Sequence, residues 1–128
     1  MKLLIDTNVL IWWMADDPRL GRNARALLSD PGVVVLASLV SIWEITMKWR
    51  IGKFPVPGSA HLEFLDDEGV ATLALTHDHF KALDDLPMHH NDPFDHLIVA
   101  QAVAEQASII TSDRDMARYG VRCFPAER

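Results

Sequence analysis

The sequence predicts an α/β fold, a three-layer α/β/α sandwich built around a central parallel sheet of about five strands. Five short apolar runs, mostly β-branched, alternate with helix-like segments, and none shows the polar/apolar alternation of a half-exposed strand. Strands of this kind are covered on both faces, as in parallel sheets joined by right-handed crossovers. The five runs are Lys2–Ile5, Val33–Ala37, Val70–Leu73, Ser108–Thr111 and Val121–Phe124.

The segments between these runs carry residues that commonly begin and end helices. A short helix, Val9–Met14, is expected after the first strand. Four later segments open on a serine or an aspartate that can cap a helix, and three of them end at or just before a glycine. Proline at the first helical position marks the third of the four. The segments run from Ser38 to about Ile51, from Ser59 to Gly69, from Asp92-Pro93 to about Ala107, and from Asp113 to Gly120.

Composition restricts the class of protein. A chain of 128 residues with 49% hydrophobic and 23% charged residues fits one globular domain, 1–128, without staples. No apolar run approaches the roughly 18 residues that span a membrane. The single cysteine, Cys123, fits a reducing compartment, so we expect a cytoplasmic protein and place Cys123 in the core. A net charge of −6 argues against a general nucleic-acid coat protein but is compatible with a nuclease whose carboxylates bind metal.

Acidic residues follow two of the predicted strands. Asp6 comes directly after the first strand, and Asp113 follows the fourth after one intervening residue. Sites in open parallel sheets form outside the carboxyl ends of the strands, so both side chains are expected at one edge of the sheet. Asp113 could instead simply cap the helix that it precedes. Asp6 is harder to explain structurally, because it lies at the mouth of a central apolar strand.

Glu44 interrupts an apolar stripe on the helix expected after Ser38. Val40, Met47 and Ile51 occupy the same face at helical spacing. An ionised carboxylate on a buried stripe is unfavourable unless it is paired or bound to a cation. An ion pair with Lys48 would explain an exposed glutamate but not one that faces the core. The pattern therefore favours a functional role for Glu44.

Asp92 and Asp95 lie at the start of a helix that is apolar nearly all round. Asp92 is placed to cap this helix, and Asp95 occupies its third position, where an acid favours the helix dipole. That helix leads into the fourth strand, so its beginning should abut the carboxyl edge of the sheet. Asp95 can therefore cap its helix and also contribute to a site.

Four carboxylates converging on one edge would repel each other strongly without a counter-charge. A divalent cation removes this conflict, and all-oxygen ligation selects Mg2+, with Mn2+ as an alternative, over zinc. Such a site can polarise a phosphoryl oxygen and activate water for attack on a phosphodiester. The set comprises Asp6, Glu44, Asp95 and Asp113.

Four segments resemble successive motifs of PIN domains, in particular those of the VapC toxins of bacterial type II toxin–antitoxin systems. Their order and spacing make the resemblance specific, and it covers essentially the whole chain. The segment Glu44–Pro55 is also similar to that subgroup. The four segments are Leu4–Leu10 (LIDTNVL), Ser41–Ile45 (SIWEI), Asp92–Ala102 (DPFDHLIVAQA) and Thr111–Asp113 (TSD).

The resemblance implies a PIN-like fold and a Mg2+-dependent endoribonuclease that hydrolyses RNA, is inhibited by a cognate antitoxin and acts as a homodimer. It implies that the four acids above bind the metal. It also implies supporting roles for further polar residues, of which Asp92 and Asp115 have a capping or surface explanation as well. These supporting residues are Thr7, Asn8, Asp92 and Asp115.

Three alternatives to a toxin stay open at this point. A PIN nuclease for RNA processing would need no antitoxin. A non-catalytic, receiver-like module could retain an acidic pocket, although such folds lack a glutamate like Glu44. A phosphatase with Asp6 as nucleophile is disfavoured, because Asn8 stands where a second aspartate is needed.

Basic and aromatic residues give weaker predictions. Candidate RNA contacts are Lys48, Arg50 and Lys53, although an ordinary solvated helix face explains them equally well. Of the adjacent Trp12 and Trp13, we expect that both cannot point fully inward and that one could meet a partner. Three further residues have predicted locations: Trp43 in the core, and His77 and His79 in solvent. His89 and His90 fall in a loop where they could touch RNA or a partner.

Overall fold

The computed structural model describes all residues from Met1 to Arg128. Five parallel strands form one sheet in the order β3-β2-β1-β4-β5, so the first strand lies at its centre. The predicted three-layer α/β/α architecture is confirmed; two strands have the predicted bounds, and the ends of the other three differ by one or two residues. The strands are β1 Lys2–Ile5, β2 Val34–Ser38, β3 Ala71–Leu73, β4 Ser108–Thr111 and β5 Cys123–Pro125.

Helices cover both faces of the sheet. Leu3 and Ile5 of β1 point into a core shared with the first four helices, whereas Leu4 points into a second core shared with the sixth helix. All three side chains are fully buried, as expected for a strand covered on both sides. The α-helices are α1 Thr7–Met14, α2 Arg22–Ser29, α3 Leu39–Arg50, α4 Gly58–Asp67, α5 His77–Asp84 and α6 Pro93–Glu105. None of them is long and apolar enough to cross a membrane.

Two helical segments differ from the sequence prediction. Helix α2 was not predicted, because it follows Gly21 and no side chain caps its beginning. Its first amides are instead satisfied from far along the chain, where the Arg128 carbonyl accepts hydrogen bonds from Asn23 and Ala24. The segment after Asp113 forms a 3-10 helix, Arg114–Tyr119, which Gly120 ends in the left-handed conformation.

His79 was predicted to face solvent, and this prediction is wrong. Its side chain is completely buried between α5 and α6. The Thr76 amide donates to Nδ1 at 3.1 Å, so Nε2 carries the proton and donates to the Glu105 carboxylate at 2.9 Å. The histidine thus caps its own helix and joins it to the next, whereas His77 lies in solvent as expected.

Trp43 was predicted to lie in the core, and it is 53% exposed instead. Its ring packs edge-on against Phe94 at the start of α6, with centroids 5.0 Å apart. Trp12 is buried, whereas Trp13 is only partly buried and packs edge-on against Phe64. The expectation that these two neighbours cannot both point fully inward is confirmed. Cys123 is partly buried at the margin of the second core.

Candidate metal centre

Asp6 lies at the carboxyl end of the central strand and begins α1. One carboxylate oxygen accepts from the Thr7 amide at 2.6 Å, and the other accepts from the Thr111 hydroxyl of the neighbouring strand, also at 2.6 Å. The side chain is only 5% exposed. Burial raises the pKa of Asp6, the two hydrogen bonds oppose that rise, and the charges of Glu44 and Asp113 add to it.

Glu44 is buried beside Asp6, on the face of α3 that packs against α1. One of its oxygens lies 2.9 Å from the Thr7 hydroxyl, and the other accepts from the Lys48 ammonium at 2.7 Å. Thr7 also hydrogen-bonds the Ser41 hydroxyl one turn earlier on α3. The predicted ion pair therefore forms, and it joins a half-exposed lysine to a carboxylate that is itself 8% exposed.

The predicted apolar stripe around Glu44 is wrong in part. Val40 is buried, but Met47 is 40% exposed and Ile51 is 64% exposed. The face of α3 that turns inward carries Ser41 and Ile45 instead. Glu44 is buried because α1 covers it, which the spacing of apolar residues on α3 alone does not reveal.

Asp95 enters the site from the first turn of α6. Asp92 caps this helix by accepting from the amides of Phe94 and Asp95, so the predicted capping role is confirmed. The Asp95 carboxylate is left free to face the other acids and is 18% exposed. Burial, followed by the charges of Asp6, Asp92, Glu44 and Asp113, raises the pKa of Asp95 to about 8.

Asp113 follows β4 and begins the 3-10 helix. Its carboxylate accepts from the Asp115 amide at 2.9 Å, and its own amide donates to the Thr111 hydroxyl. Ligand atoms of Asp113 and Asp95 lie within 4.8 Å of each other and of a nitrogen of His90. Asp6 and Glu44 are outside this group of three and lie deeper in the protein.

Of the supporting residues, only some reach the acidic cluster. Thr7 joins Asp6 to Glu44, and Asp92 adds its charge next to Asp95. Asn8 and Asp115 are exposed, and Asp115 contacts the cluster only through its backbone amide. Lys48 binds Glu44, and the charges of Asp92 and Asp95 add to the rise in the pKa of Lys48. The two other basic residues, Arg50 and Lys53, are exposed on the surface.

Three residues of the site were missed in the sequence. Thr111 links Asp6 to Asp113, Ser41 supports Thr7, and His90 approaches Asp95. Thr111 could have been found from its position, because it ends the strand next to the one that Asp6 follows. Ser41 and His90 carry no signal of this kind, since their approach depends on how α3 and the loop before α6 pack.

The donor set fits a divalent cation of the hard type. Carboxylates from four separate elements meet at one edge of the sheet, and Lys48 is bound by only one of them. The charges of the neighbouring acids add to the burial that raises the pKa of Asp95. A cation held by oxygen ligands would balance these charges. The arrangement can therefore serve phosphodiester chemistry.

The PIN domain family model matches residues 3–122 of the chain. VapBC2 from Rickettsia felis, bound to a DNA fragment from its promoter, is similar in fold at a TM-score of 0.76 and 15% identity, covering 97% of this chain and 98% of that one. VapBC-1 from nontypeable Haemophilus influenzae has a TM-score of 0.69 and 16% identity, and the match covers 100% of both chains. A toxin–antitoxin complex from Klebsiella pneumoniae has a TM-score of 0.66 and 18% identity, and the match covers 97% of both chains.

A comparison with curated proteins finds no match. At the identities of the solved structures, their likeness shows the fold. The family match extends over nearly the whole chain, from β1 to the residues just before β5. The chain belongs to the PIN domain family.

Proposed function

We propose that this protein is a Mg2+- or Mn2+-dependent endoribonuclease and the VapC-like toxin of a type II toxin–antitoxin pair. The observation that carries the nuclease proposal is the meeting of Asp6, Glu44, Asp95 and Asp113 at the carboxyl edge of the sheet. Membership of the PIN family supports it, because PIN domains are generally nucleases that use divalent metals. The similar toxin–antitoxin complexes support the toxin role.

The four acids have different tasks in this proposal. Asp6, Asp95 and Asp113 would be the principal ligands, and Glu44 would act directly or through water. Thr111 and the Thr7 amide hold both oxygens of Asp6, so its carboxylate orientation is fixed before a cation arrives. Thr7 and Lys48 fix Glu44 in the same way from opposite sides.

When bound, the cation supplies Lewis-acid activation of the phosphodiester and offsets the charge that develops on it. Burial and the neighbouring acids raise the pKa of Asp95 to about 8, so protons compete with the cation for this carboxylate. Binding of a cation requires the proton to leave. Buried walls around Asp6 and Glu44 exclude bulk water and strengthen every electrostatic interaction in the site.

Cleavage of total RNA by the purified protein tests the nuclease proposal. We expect discrete RNA ends to form with Mg2+ or Mn2+ and none to form when EDTA is added. Mapping these ends also identifies the RNA target. Cleavage that continues undiminished in EDTA would refute metal dependence, and intact RNA under all metal conditions would refute the nuclease.

The toxin role needs a separate experiment. Brief induction of the chain in a bacterial host should stop growth, and co-expression of the small protein encoded beside its gene should restore it. If induction is harmless while the purified protein cleaves RNA, the PIN nuclease without an antitoxin is the correct alternative.

A further inference from the structure

His90 lies in the loop before α6, and aromatic neighbours fix its ring. The ring stacks on His96 with centroids 5.0 Å apart and planes only 6° from parallel. Tyr119 packs edge-on against it at 5.4 Å. A side chain held on two sides in this way has little rotational freedom, so the direction of its nitrogens is set by the fold.

The hydrogen bonding of His90 determines which nitrogen carries the proton. The Asp92 amide donates to Nδ1 at 3.4 Å, so Nδ1 is the acceptor and Nε2 is an N–H group in the neutral ring as well as in the charged one. Nε2 is buried and has no hydrogen-bond partner. A buried donor without an acceptor is unfavourable, which indicates that its partner belongs to another state of the site.

A candidate acceptor is the carboxylate of Asp95, whose Oδ2 lies 3.9 Å from Nε2. A ring nitrogen of His90 also lies within 4.8 Å of a carboxylate oxygen of Asp113. The only lysine at the site, Lys48, is already bound by Glu44. The His90 N–H is therefore the donor available to the Asp95 side of the cluster.

We propose that His90 is a positioning residue whose Nε2–H hydrogen-bonds the Asp95 carboxylate and orients it for the cation. This proposal rests on the proposed metal-dependent function. Ligating carboxylates are commonly held by such outer hydrogen bonds, and their loss weakens metal binding about 10–100-fold. A role as direct ligand would need a free lone pair on Nε2, and the Asp92 amide at Nδ1 opposes that tautomer.

Mn2+ binding to the purified protein, followed by electron paramagnetic resonance, tests this proposal without reference to activity. His90→Phe keeps the aromatic packing and removes the donor, so we expect Mn2+ affinity to fall about 10–100-fold. His90→Gln keeps an N–H donor and should recover most of the affinity. His89→Phe is the matched control, because His89 also packs on Tyr119 but is outside the metal-ligating group, and it should bind as the unchanged protein does.

Unchanged Mn2+ affinity in His90→Phe would overturn the proposal while leaving the metal site intact. A 14N coupling on bound Mn2+ that disappears in His90→Phe would overturn it too, because it identifies a direct ligand. Failure of the unchanged protein to bind Mn2+ at all would instead refute the proposed function, and the positioning role with it.

Nitrogen NMR of the unchanged protein gives a second readout that needs no variant. We expect Nε2 of His90 to be protonated and Nδ1 unprotonated, both with and without Mg2+. A change to a protonated Nδ1 when Mg2+ binds would overturn the proposal even if His90→Phe failed to fold.

Discussion

Thr111 joins two of the acidic residues through a single hydroxyl. Its Oγ1 donates to Asp6 and accepts from the Asp113 amide, so the ends of β1 and β4 are held in register at the site. Thr7 does the same between α1 and α3 by contacting Glu44 and Ser41. These neutral side chains orient buried carboxylates without neutralising them, which leaves the site anionic and ready for a cation.

The pH dependence of stability should reveal Asp95. Its pKa is raised to about 8 in the folded protein, so between the unfolded value near 4 and about 8 the folded state binds more protons than the unfolded state. The free energy of unfolding of the metal-free protein therefore loses the Asp95 contribution as the pH rises through this window. We expect Asp95→Asn to raise the free energy of unfolding of the metal-free protein more at pH 8 than at pH 5. The difference between the two effects should be at least about 1 kcal/mol.

Urea unfolding of both proteins at the two pH values, in the presence of EDTA, measures this difference. Asp67→Asn, an exposed change on α4, serves as the control and should give no pH-dependent difference. An equal effect of Asp95→Asn at both pH values would show that the carboxyl is already ionised in the folded protein at pH 5.

Single residues show where sequence reasoning succeeds. Asp6 and Asp113 could be placed because they follow strands whose ends must meet in a parallel sheet. Glu44 was identified through an apolar stripe that exists only in part, since Met47 and Ile51 are exposed. His90 could not be assigned from the sequence, because its role depends on the rings of His96 and Tyr119 that hold it.

At the scale of elements, three helices begin at acidic residues, and Asp6 caps the first of them, α1. Asp92 caps α6 and Asp113 caps the 3-10 helix, so the capping and functional interpretations of these segments do not exclude each other. Helix α2 lacked such a signal because the carbonyl that satisfies its amides belongs to Arg128, about a hundred residues away in the sequence. Distant backbone partners of this kind are invisible to local patterns.

Helices α3 and α4 approach each other closely at Gly58. A Cβ at this position would collide with the Thr46 side chain and lie 2.8 Å from the Ile42 carbonyl. We expect Gly58→Ala to lower the free energy of unfolding by about 1–3 kcal/mol, the usual penalty of overpacking. Denaturant unfolding measures the change.

Gly32→Ala is the matched control for this experiment. Its new Cβ would meet only the Asp30 side chain, at 3.3 Å, and stability should change by less than about 0.5 kcal/mol. Equal stability of the two variants would contradict the close approach of α3 to α4.

At the scale of the whole molecule, α3 carries an exposed apolar stripe on the side away from the core. Leu39, Trp43, Met47 and Ile51 recur every four residues and are 38–64% exposed. Exposed apolar side chains on one side of a helix favour contact with another protein. We propose that it contributes to the homodimer that accompanies the proposed toxin function.

The double change Met47→Glu and Ile51→Glu should convert a dimer to a monomer in light scattering coupled to size exclusion. Leu62→Glu, at an apolar position on α4 that is 37% exposed, should leave the dimer intact. A dimer that survives the double change would place the interface elsewhere, and a monomeric unchanged protein would refute the homodimer itself.

The five parallel strands could be predicted because they are uniformly apolar and alternate with helices, whereas their order in the sheet was not predicted. The packing of side chains from different layers could not be predicted. Trp43, expected in the core, is exposed and packs on Phe94 of α6. His79, expected in solvent, is buried and hydrogen-bonds Glu105 at the end of α6. The site combines both cases: the sheet edge was predictable, and the contacts that orient each acid were not.

The most direct test of the account is the rate of RNA cleavage by Asp6→Asn with saturating Mg2+. This change keeps the size of the side chain and one of its two acceptor oxygens but removes the charge at the centre of the cluster. We expect cleavage to fall at least about 100-fold while circular dichroism stays unchanged, with Asp67→Asn cleaving at the original rate. Full activity in folded Asp6→Asn would contradict the assignment of the acidic cluster as the catalytic metal site.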